Sequence, residues 1–105
     1  MEGAQGAMDH WQAHRRIREI LNSPGVETGY SDHAKLRMRE RGVTAGDIHR
    51  VLRSGAVVEG PAWAPGPENW KCDVEGPNSS GKALKVGVAF WEDRPKLVVI
   101  TVIVR

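Results

Sequence analysis

The stretch ALKVGVAFWEDRPKLVVITVIV, residues 83–104, decides the fold because its apolar side chains recur with the period of two that is typical of β-strands. Its first half points four apolar side chains to one face, which we expect to pack on helices. These four are Leu84, Val86, Val88 and Phe90. The polar residues 92–95, Glu-Asp-Arg-Pro, separate the two halves. The stretch therefore predicts two antiparallel strands, 83–91 and 96–104, joined by a hairpin turn.

The second half of this hairpin is apolar at almost every position, unlike an antiparallel strand that keeps one face in water. We therefore expect this strand to be central in the sheet. Exposing Leu97, Val99 and Ile103 together would be costly. For that reason we predict that a partner or a second copy of the chain covers the other face of the strand.

Two further candidate strands, residues 56–59 and 69–75, precede the hairpin, and a Pro-rich loop at residues 61–67 lies between them. Before residue 56 the apolar positions recur at steps of three and four, which is the spacing of amphipathic helices. The sequence therefore predicts an α+β fold, in which two or three N-terminal helices pack on a four-stranded antiparallel sheet.

The ends of these helices can be read from capping residues. Asp9 can cap the first helix, and the Ser-Pro-Gly sequence at residues 23–25 ends it. Ser31 begins the second helix, because its hydroxyl can accept a hydrogen bond from a free N–H of the first turn, and Gly42 ends it. Thr44 begins the third helix with a capping box that uses Asp in place of Glu.

The size of the chain allows one domain. At 105 residues, 40% of them hydrophobic, it can build one modest core. We expect residues 1–8 to be a flexible leader and residues 9–105 to form the domain. No apolar run approaches the roughly 18 residues that cross a bilayer, and the N-terminal residues lack the basic start and apolar stretch of a secretory signal. The sequence therefore predicts a soluble, cytoplasmic protein that does not associate with membranes.

Cofactor motifs are weak in this sequence. The segment GPNSSGKA, residues 76–83, resembles a P-loop up to its lysine, but Ala83 replaces the hydroxyl residue that binds magnesium and a strand follows. His10 and His14 are one helical turn apart, without a third metal ligand near them. Cys72 is the only cysteine, and we expect a buried, inert thiol. We predict no cofactor and no metal site.

The positive charge is concentrated in the helical half of the chain. Residues 14–53 hold nine Lys or Arg and five Asp or Glu, whereas residues 54–105 hold six of each. A surplus of four positive charges suits a polyanion such as RNA, although a solvated helix surface has the same composition.

The second helix carries the most informative group of polar residues. His33, Arg37 and Arg41 recur every four residues and so form one ridge on the helix. On a helical wheel Arg41 lies beside the expected core residues, so we expect its guanidinium to be partly shielded and to need an anion. The alternative is a structural role, with Glu40, Asp47 or a backbone carbonyl as the partner of Arg41.

The string YSDHAKLRMRERGV, residues 30–43, resembles the signature of the bacterial family called domain of unknown function 4258. The resemblance extends to Ile100-Thr101-Val102, while the Pro-rich insert fits least well. This family is similar to the RelE, BrnT and MqsR toxins, so the resemblance implies a RelE-like ribonuclease fold and an antitoxin partner. His33, Arg37, Arg41 and Thr101 occupy its signature positions.

We therefore expect a metal-independent endoribonuclease, in which the RNA 2′-hydroxyl attacks the adjacent phosphate. His33 would transfer the proton, while Arg37 and Arg41 would hold the phosphate. We expect further RNA contacts from residues on the sheet. These are Lys71, Lys85, Thr101 and Trp70.

Two other functions fit the same residues. In the first, the ridge binds an anion or an acidic protein and the sheet pairs with a partner, without turnover. In the second, the ridge is purely structural and the protein is an assembly or regulatory component. RNA cleavage separates the nuclease from a binding module, and RNA affinity separates both from a structural component.

Overall fold

Three helices and five strands make up residues 8–105, which are the residues described by the structure, a computed structural model. In chain order they are α1 (His10–Leu21), β1 (Glu27–Tyr30), α2 (Asp32–Arg41), α3 (Ala45–Ser54), β2 (Ala56–Ala64), β3 (Asn69–Pro77), β4 (Ala83–Phe90) and β5 (Lys96–Val104). The α+β class predicted from the sequence is confirmed. No helix in residues 8–105 is long and apolar enough to span a membrane.

The three helices begin at the predicted capping residues. The Asp9 carboxylate accepts a hydrogen bond from the Gln12 N–H at 2.8 Å, and the Ser31 hydroxyl accepts one from the Ala34 N–H at 3.0 Å. Thr44 and Asp47 form the predicted reciprocal capping box at the start of α3. These side chains satisfy backbone donors that have no partner within the first turn of a helix.

The sheet has five strands in the order β1-β5-β4-β3-β2, and β1 runs parallel to β5. Strands β2 to β5 pair with one another in antiparallel orientation, but the prediction of a four-stranded, wholly antiparallel sheet is wrong. The missed strand holds only Glu-Thr-Gly-Tyr between the end of α1 and the cap of α2. Four residues are too few to show a period of two, so backbone pairing with β5 determines this strand.

Strand β2 is longer than predicted, because it continues through Pro61 to Ala64 instead of giving way to a loop at residue 61. Proline cannot donate a ladder hydrogen bond, but β2 is at the edge of the sheet, where no outer neighbour needs that donor. The pairing of β2 with β3 shifts register between Val57 and Glu59 and again between Glu59 and Ala62. The edge strand is therefore irregular where it passes the middle of β3.

Strand β5 lies between β1 and β4, as predicted for a central strand. A bulge at Ile100 separates the pairs Gly87–Thr101 and Val88–Val99, and so changes which residues face the helices. Before the bulge, Leu97 and Val99 face the core and are fully buried. After it, Val102 faces the core and Ile103 points away, 47% exposed. The prediction that Leu97, Val99 and Ile103 share an uncovered face is therefore wrong.

The hydrophobic core lies between the helices and one face of the sheet. Its buried residues include Ile17 and Ile20 from α1, Ile48 and Leu52 from α3, and the four predicted residues of β4. We call the opposite face, which carries Lys71, Asp73, Lys85 and Thr101, the outer face. Of the predicted leader, residues 1–7 lie outside the described residues, whereas Met8 packs against the core.

Candidate functional site: an exposed helix ridge and a sheet-face cluster

The ridge predicted on α2 lies on the protein surface. His33 and Arg41 are exposed, and the side chain of Arg37 is 41% exposed. Lys35 and Arg39, both also exposed, flank the ridge. We call His33, Arg37 and Arg41 the α2 ridge. Because this helix presents four Lys or Arg and only two acidic residues, it is a cationic surface.

Backbone contacts to β5 anchor this polar helix. The Ser31 N–H donates a hydrogen bond to the Val99 carbonyl at 2.9 Å, and the Ser31 hydroxyl donates one to the Ile100 carbonyl at 2.8 Å. Ala34 is the fully buried residue of α2, and Met38 is half-buried. The helix therefore begins directly beside the bulge of β5 and leaves its charged side chains in solvent.

The predicted shielding of Arg41 is wrong. Its side chain is exposed in the last turn of α2, because the apolar stripe of this helix is narrow and long guanidinium side chains reach water from its flank. The partners suggested for it bind elsewhere: Glu40 is 3.7 Å from Arg37, and Asp47 accepts hydrogen bonds from the backbone N–H groups of Thr44 and Ser79.

A second group of polar side chains lies on the outer face of the sheet, across three strands. Asp73 of β3, Gly87 of β4 and Thr101 of β5 are in register, and Glu59 of β2 pairs with Asp73. The Lys85 ammonium is 3.6 Å from Asp73 Oδ2 and 3.7 Å from Glu59 Oε1. We call Glu59, Asp73, Lys85 and Thr101 the sheet-face cluster.

Gly87 allows this cluster to be compact. A Cβ atom at Gly87 would overlap the Thr101 hydroxyl and lie 3.0 Å from Asp73 Oδ1. Glycine inside a strand is costly in conformational entropy, and it often marks a point where other groups approach the backbone closely. At Gly87 those groups are the Asp73 carboxylate of β3 and the Thr101 hydroxyl of β5.

The cluster opens into a cavity of about 310 Å³. Asp73, Thr101 and Glu59 line it together with Lys71 and Ile100. Lys71 is exposed at the rim, so its ammonium is accessible to an anion. The cavity therefore brings together carboxylate, hydroxyl and ammonium groups on a partly apolar floor, as small-molecule sites do.

Asp73 is an electrostatically perturbed group in the cavity. Burial raises the pKa of Asp73 above its ordinary value, and the nearby Glu59 carboxyl raises that pKa further. The Lys85 ammonium acts in the opposite direction and offsets only part of the increase. Asp73 is therefore a stronger base than an isolated aspartate.

The predicted sheet residues divide between the two faces. Lys71, Lys85 and Thr101 share the outer face, but Lys85 already contacts two carboxylates. Trp70 lies on the core face and is 3% exposed, and its indole N–H donates to Glu92 at 2.8 Å. The predicted contact between Trp70 and RNA is therefore wrong. The period of two that puts Cys72 in the core also assigns Trp70 to that face.

Residues considered for metal or thiol chemistry have structural roles. The His14 Nε2 atom lies 3.2 Å from the Leu52 carbonyl oxygen. Cys72 is buried as expected, and burial, together with the charge of Asp73, raises the pKa of its thiol to about 12. Among residues 8–105, no three His, Cys, Asp or Glu side chains are grouped so that they could hold a metal ion.

Three residues of this site were not predicted from the sequence. These are Asp73, Glu59 and Gly87. The sequence carries a signal for Asp73, because this residue alternates with Lys71 on a strand. It also carries a signal for Gly87, because a glycine there interrupts an apolar strand. The position of Glu59 could not be predicted, since it depends on the two register shifts of β2.

The family model described as Domain of unknown function (DUF4258) matches residues 30–104, which is more than half of the chain. The chain belongs to this family. The matched region begins at the last residue of β1 and includes both the α2 ridge and the sheet-face cluster. No curated protein and no solved structure matches the chain.

Proposed function

We propose that the protein is a toxin-type endoribonuclease with a RelE-like arrangement of helices and sheet, and that it cleaves RNA without a metal ion. The observation that carries the proposal is the exposed, cationic α2 ridge. Guanidinium groups bind phosphate through paired N–H donors, and Arg37 and Arg41 present two of them on one side of the helix. RNA is the polyanion that the family resemblance favours.

The neighbouring Glu40 does not prevent this role for Arg37. The two side chains are 3.7 Å apart and about half exposed, so their ion pair contributes little to stability in water. An RNA phosphate can therefore replace Glu40 as the partner of Arg37 at small cost. Arg41 has its side chain in solvent and needs no such exchange.

The start of α2 lies beside β5, one of the strands that line the outer-face cavity. Ser31, which caps α2, is hydrogen-bonded to Ile100, and Ile100 lines the sheet-face cavity beside Thr101. Lys71 lines the same cavity and offers a further cation to the phosphate backbone. Under this proposal the α2 ridge provides affinity for RNA, and the sheet provides additional contacts.

Cleavage would follow attack of the 2′-hydroxyl on the adjacent phosphate, which requires proton transfer and stabilisation of negative charge. His33 is the proton-transfer group on the ridge, because imidazole titrates near neutral pH. Arg37 and Arg41 would stabilise the charge on the phosphate. An antitoxin protein is the partner that a toxin-type nuclease requires, and a second copy of the chain is a further proposed partner.

Salt-dependent binding of single-stranded RNA tests the proposed function. We expect the affinity of a fluorescent oligoribonucleotide to fall steeply between about 50 and 200 mM salt, because each neutralised phosphate releases counterions. The Arg37→Ala/Arg41→Ala double variant should reduce the slope of log K against log salt by about 1.4, at about 0.7 per phosphate contact. Arg50→Ala, an exposed arginine on α3, is the matched control.

An affinity that does not change with salt, or a double variant that binds like the Arg50→Ala control, would contradict the proposal. Cleavage is followed separately on the same labelled RNA with excess enzyme. His33→Ala should lower the cleavage rate by roughly 100-fold or more if His33 transfers the proton.

A non-catalytic RNA-binding module is the second candidate function. It is favoured by the surroundings of His33, which is exposed and has no hydrogen bond or ion pair with another described side chain. A proton-transfer group usually needs a partner that fixes its orientation. Binding of RNA without any cleavage by the wild-type protein would select this function.

A further inference from the structure

Cleavage by a 2′-hydroxyl requires a proton acceptor that is held in place close to a phosphate-binding cation. The α2 ridge is exposed and supplies cations. The outer face of the sheet supplies a partly buried acceptor, because Asp73 is 3.6 Å from the Lys85 ammonium and lies beside Gly87 on the neighbouring strand. Side chains that are held by packing and by neighbouring polar groups are positioned more precisely than side chains in solvent.

We propose that the scissile phosphate binds in the sheet-face cavity, where the Asp73 carboxylate accepts the proton of the 2′-hydroxyl and the Lys71 ammonium protonates the leaving oxygen. This inference rests on the proposed nuclease function and moves the proton transfer from His33 on the α2 ridge to Asp73 and Lys71 on the sheet, which leaves His33 as a binding residue. The α2 ridge then holds the flanking strand of RNA.

The reaction is balanced without a co-reactant. The 2′-oxygen forms a bond to phosphorus, its proton passes to Asp73, and the bond from phosphorus to the 5′-oxygen breaks. The 5′-oxygen takes a proton from Lys71, so the products are a 2′,3′-cyclic phosphate and a 5′-hydroxyl. Water then carries the proton from Asp73 back to the Lys71 amine, and both groups return to their starting forms.

The other members of the cluster have positioning roles. Lys85 contacts both carboxylates, at 3.6 Å and 3.7 Å, so it offsets part of the repulsion between Asp73 and Glu59. The Thr101 hydroxyl lies across Gly87 from Asp73, where it can donate a hydrogen bond to a non-bridging phosphate oxygen. Without a side chain at position 87, the phosphate can approach both groups. The volume of about 310 Å³ is sufficient for a phosphate and its ribose.

The raised pKa of Asp73 supports its proposed role as the proton acceptor. Burial and the Glu59 carboxyl raise the pKa of Asp73, and proton acceptors work best when their pKa approaches the working pH. The groups that face Asp73 are Glu59 of β2, Lys85 of β4 and Thr101 of β5, together with Lys71 of its own strand. Lys71 and the sheet-face cluster together contain two cations and two carboxylates that surround the proposed reaction.

The test compares Asp73→Asn with Glu75→Gln, which removes a carboxylate two residues away on the same strand. Glu75 is 3.4 Å from Arg105 and lies outside the cavity lining. Single-turnover cleavage of a labelled RNA should fall roughly 100-fold or more in Asp73→Asn, because a proton acceptor is lost. RNA affinity should remain within about twofold, and Glu75→Gln should cleave like the wild type.

The pH profile separates catalysis from a structural role. Cleavage by the wild type should rise with pH through the pKa of Asp73, and this rise should disappear in Asp73→Asn. If circular dichroism shows that Asp73→Asn is unfolded, Asp73→Ser is measured in the same assay. An Asp73 variant that is folded, binds RNA and cleaves it at the wild-type rate overturns this inference and leaves the proposed nuclease function intact. A wild type that binds RNA and never cleaves it overturns both.

Discussion

Replacing Gly87 by alanine tests whether the sheet-face cluster is as compact as the structure describes. The new Cβ atom would overlap the Thr101 hydroxyl and lie 3.0 Å from Asp73 Oδ1, and both neighbours are attached to strands that pair with β4. The overlap can be removed only if a neighbouring side chain or the backbone moves. Overpacking of this kind costs about 1 to 3 kcal/mol, although alanine regains some of the strand entropy that glycine loses.

A double-mutant cycle tests whether this cost comes from the contact between the new Cβ atom and the Thr101 hydroxyl. In a Thr101→Ala background the hydroxyl is absent, and the residual contact from position 87 to the Cβ of residue 101 is an ordinary 3.5 Å. Gly87→Ala should therefore be less destabilising in that background, with a coupling energy of about 1 kcal/mol between the two positions. Gly25→Ala, where nothing lies within 4 Å of the new Cβ atom, is the control and should change stability little.

Urea unfolding of the four proteins of the cycle, followed by circular dichroism, gives the free energies. We expect Gly87→Ala to lower the midpoint without changing the slope, because the folded surface is otherwise unchanged. A Gly87→Ala protein as stable as the wild type would contradict this prediction, and so would a cost that is the same with and without the Thr101 hydroxyl. In either case Gly87 would not be required for the approach of Asp73 and Thr101.

Three further predictions concern single residues. Arg41→Ala should change the free energy of unfolding by no more than about 0.5 kcal/mol in urea titrations, because its side chain is exposed. Cys72 should react with Ellman's reagent at pH 8 only after denaturation, because burial raises its thiol pKa to about 12 and blocks access. Hydrogen bonds from the Thr44 backbone N–H, and then from Ser79, hold the pKa of Asp47 below its ordinary value. Asp47→Asn should therefore be less stable than the wild type at neutral pH in urea titrations, and the difference should shrink as the pH falls through the folded pKa of Asp47.

The helices and the C-terminal hairpin were predictable because their signals are local. Ser31 and Thr44 begin helices through contacts with N–H groups three residues away, and sequence spacing captures such contacts directly. The alternation in residues 83–90 likewise fixes which face of β4 packs on the helices, since neighbouring side chains in a strand point to opposite sides. In these elements local preference and tertiary packing favour the same structure.

The remaining features depend on contacts between distant residues. Strand β1 has four residues and exists because it pairs with β5, about 70 positions later in the chain. The bulge at Ile100 inverts the two faces of β5, and a sequence that is apolar at every position cannot reveal where that inversion occurs. The exposure of Arg41 was not predicted for a related reason. A helical wheel shows on which side of the helix a side chain lies, but it does not show how much of the helix surface the sheet covers.

The sheet-face cluster has a composition that stability alone does not explain. Two carboxylates share one lysine, and the pKa of Asp73 is raised, so its ionised form is less favourable in the folded protein than in the unfolded chain. A glycine in the middle of the neighbouring strand adds an entropic cost. Apolar or threonine side chains at these positions would stabilise the sheet more. Since perturbed titratable groups are concentrated at functional sites, the cavity that Asp73 lines is a better candidate for chemistry than the solvent-exposed ridge.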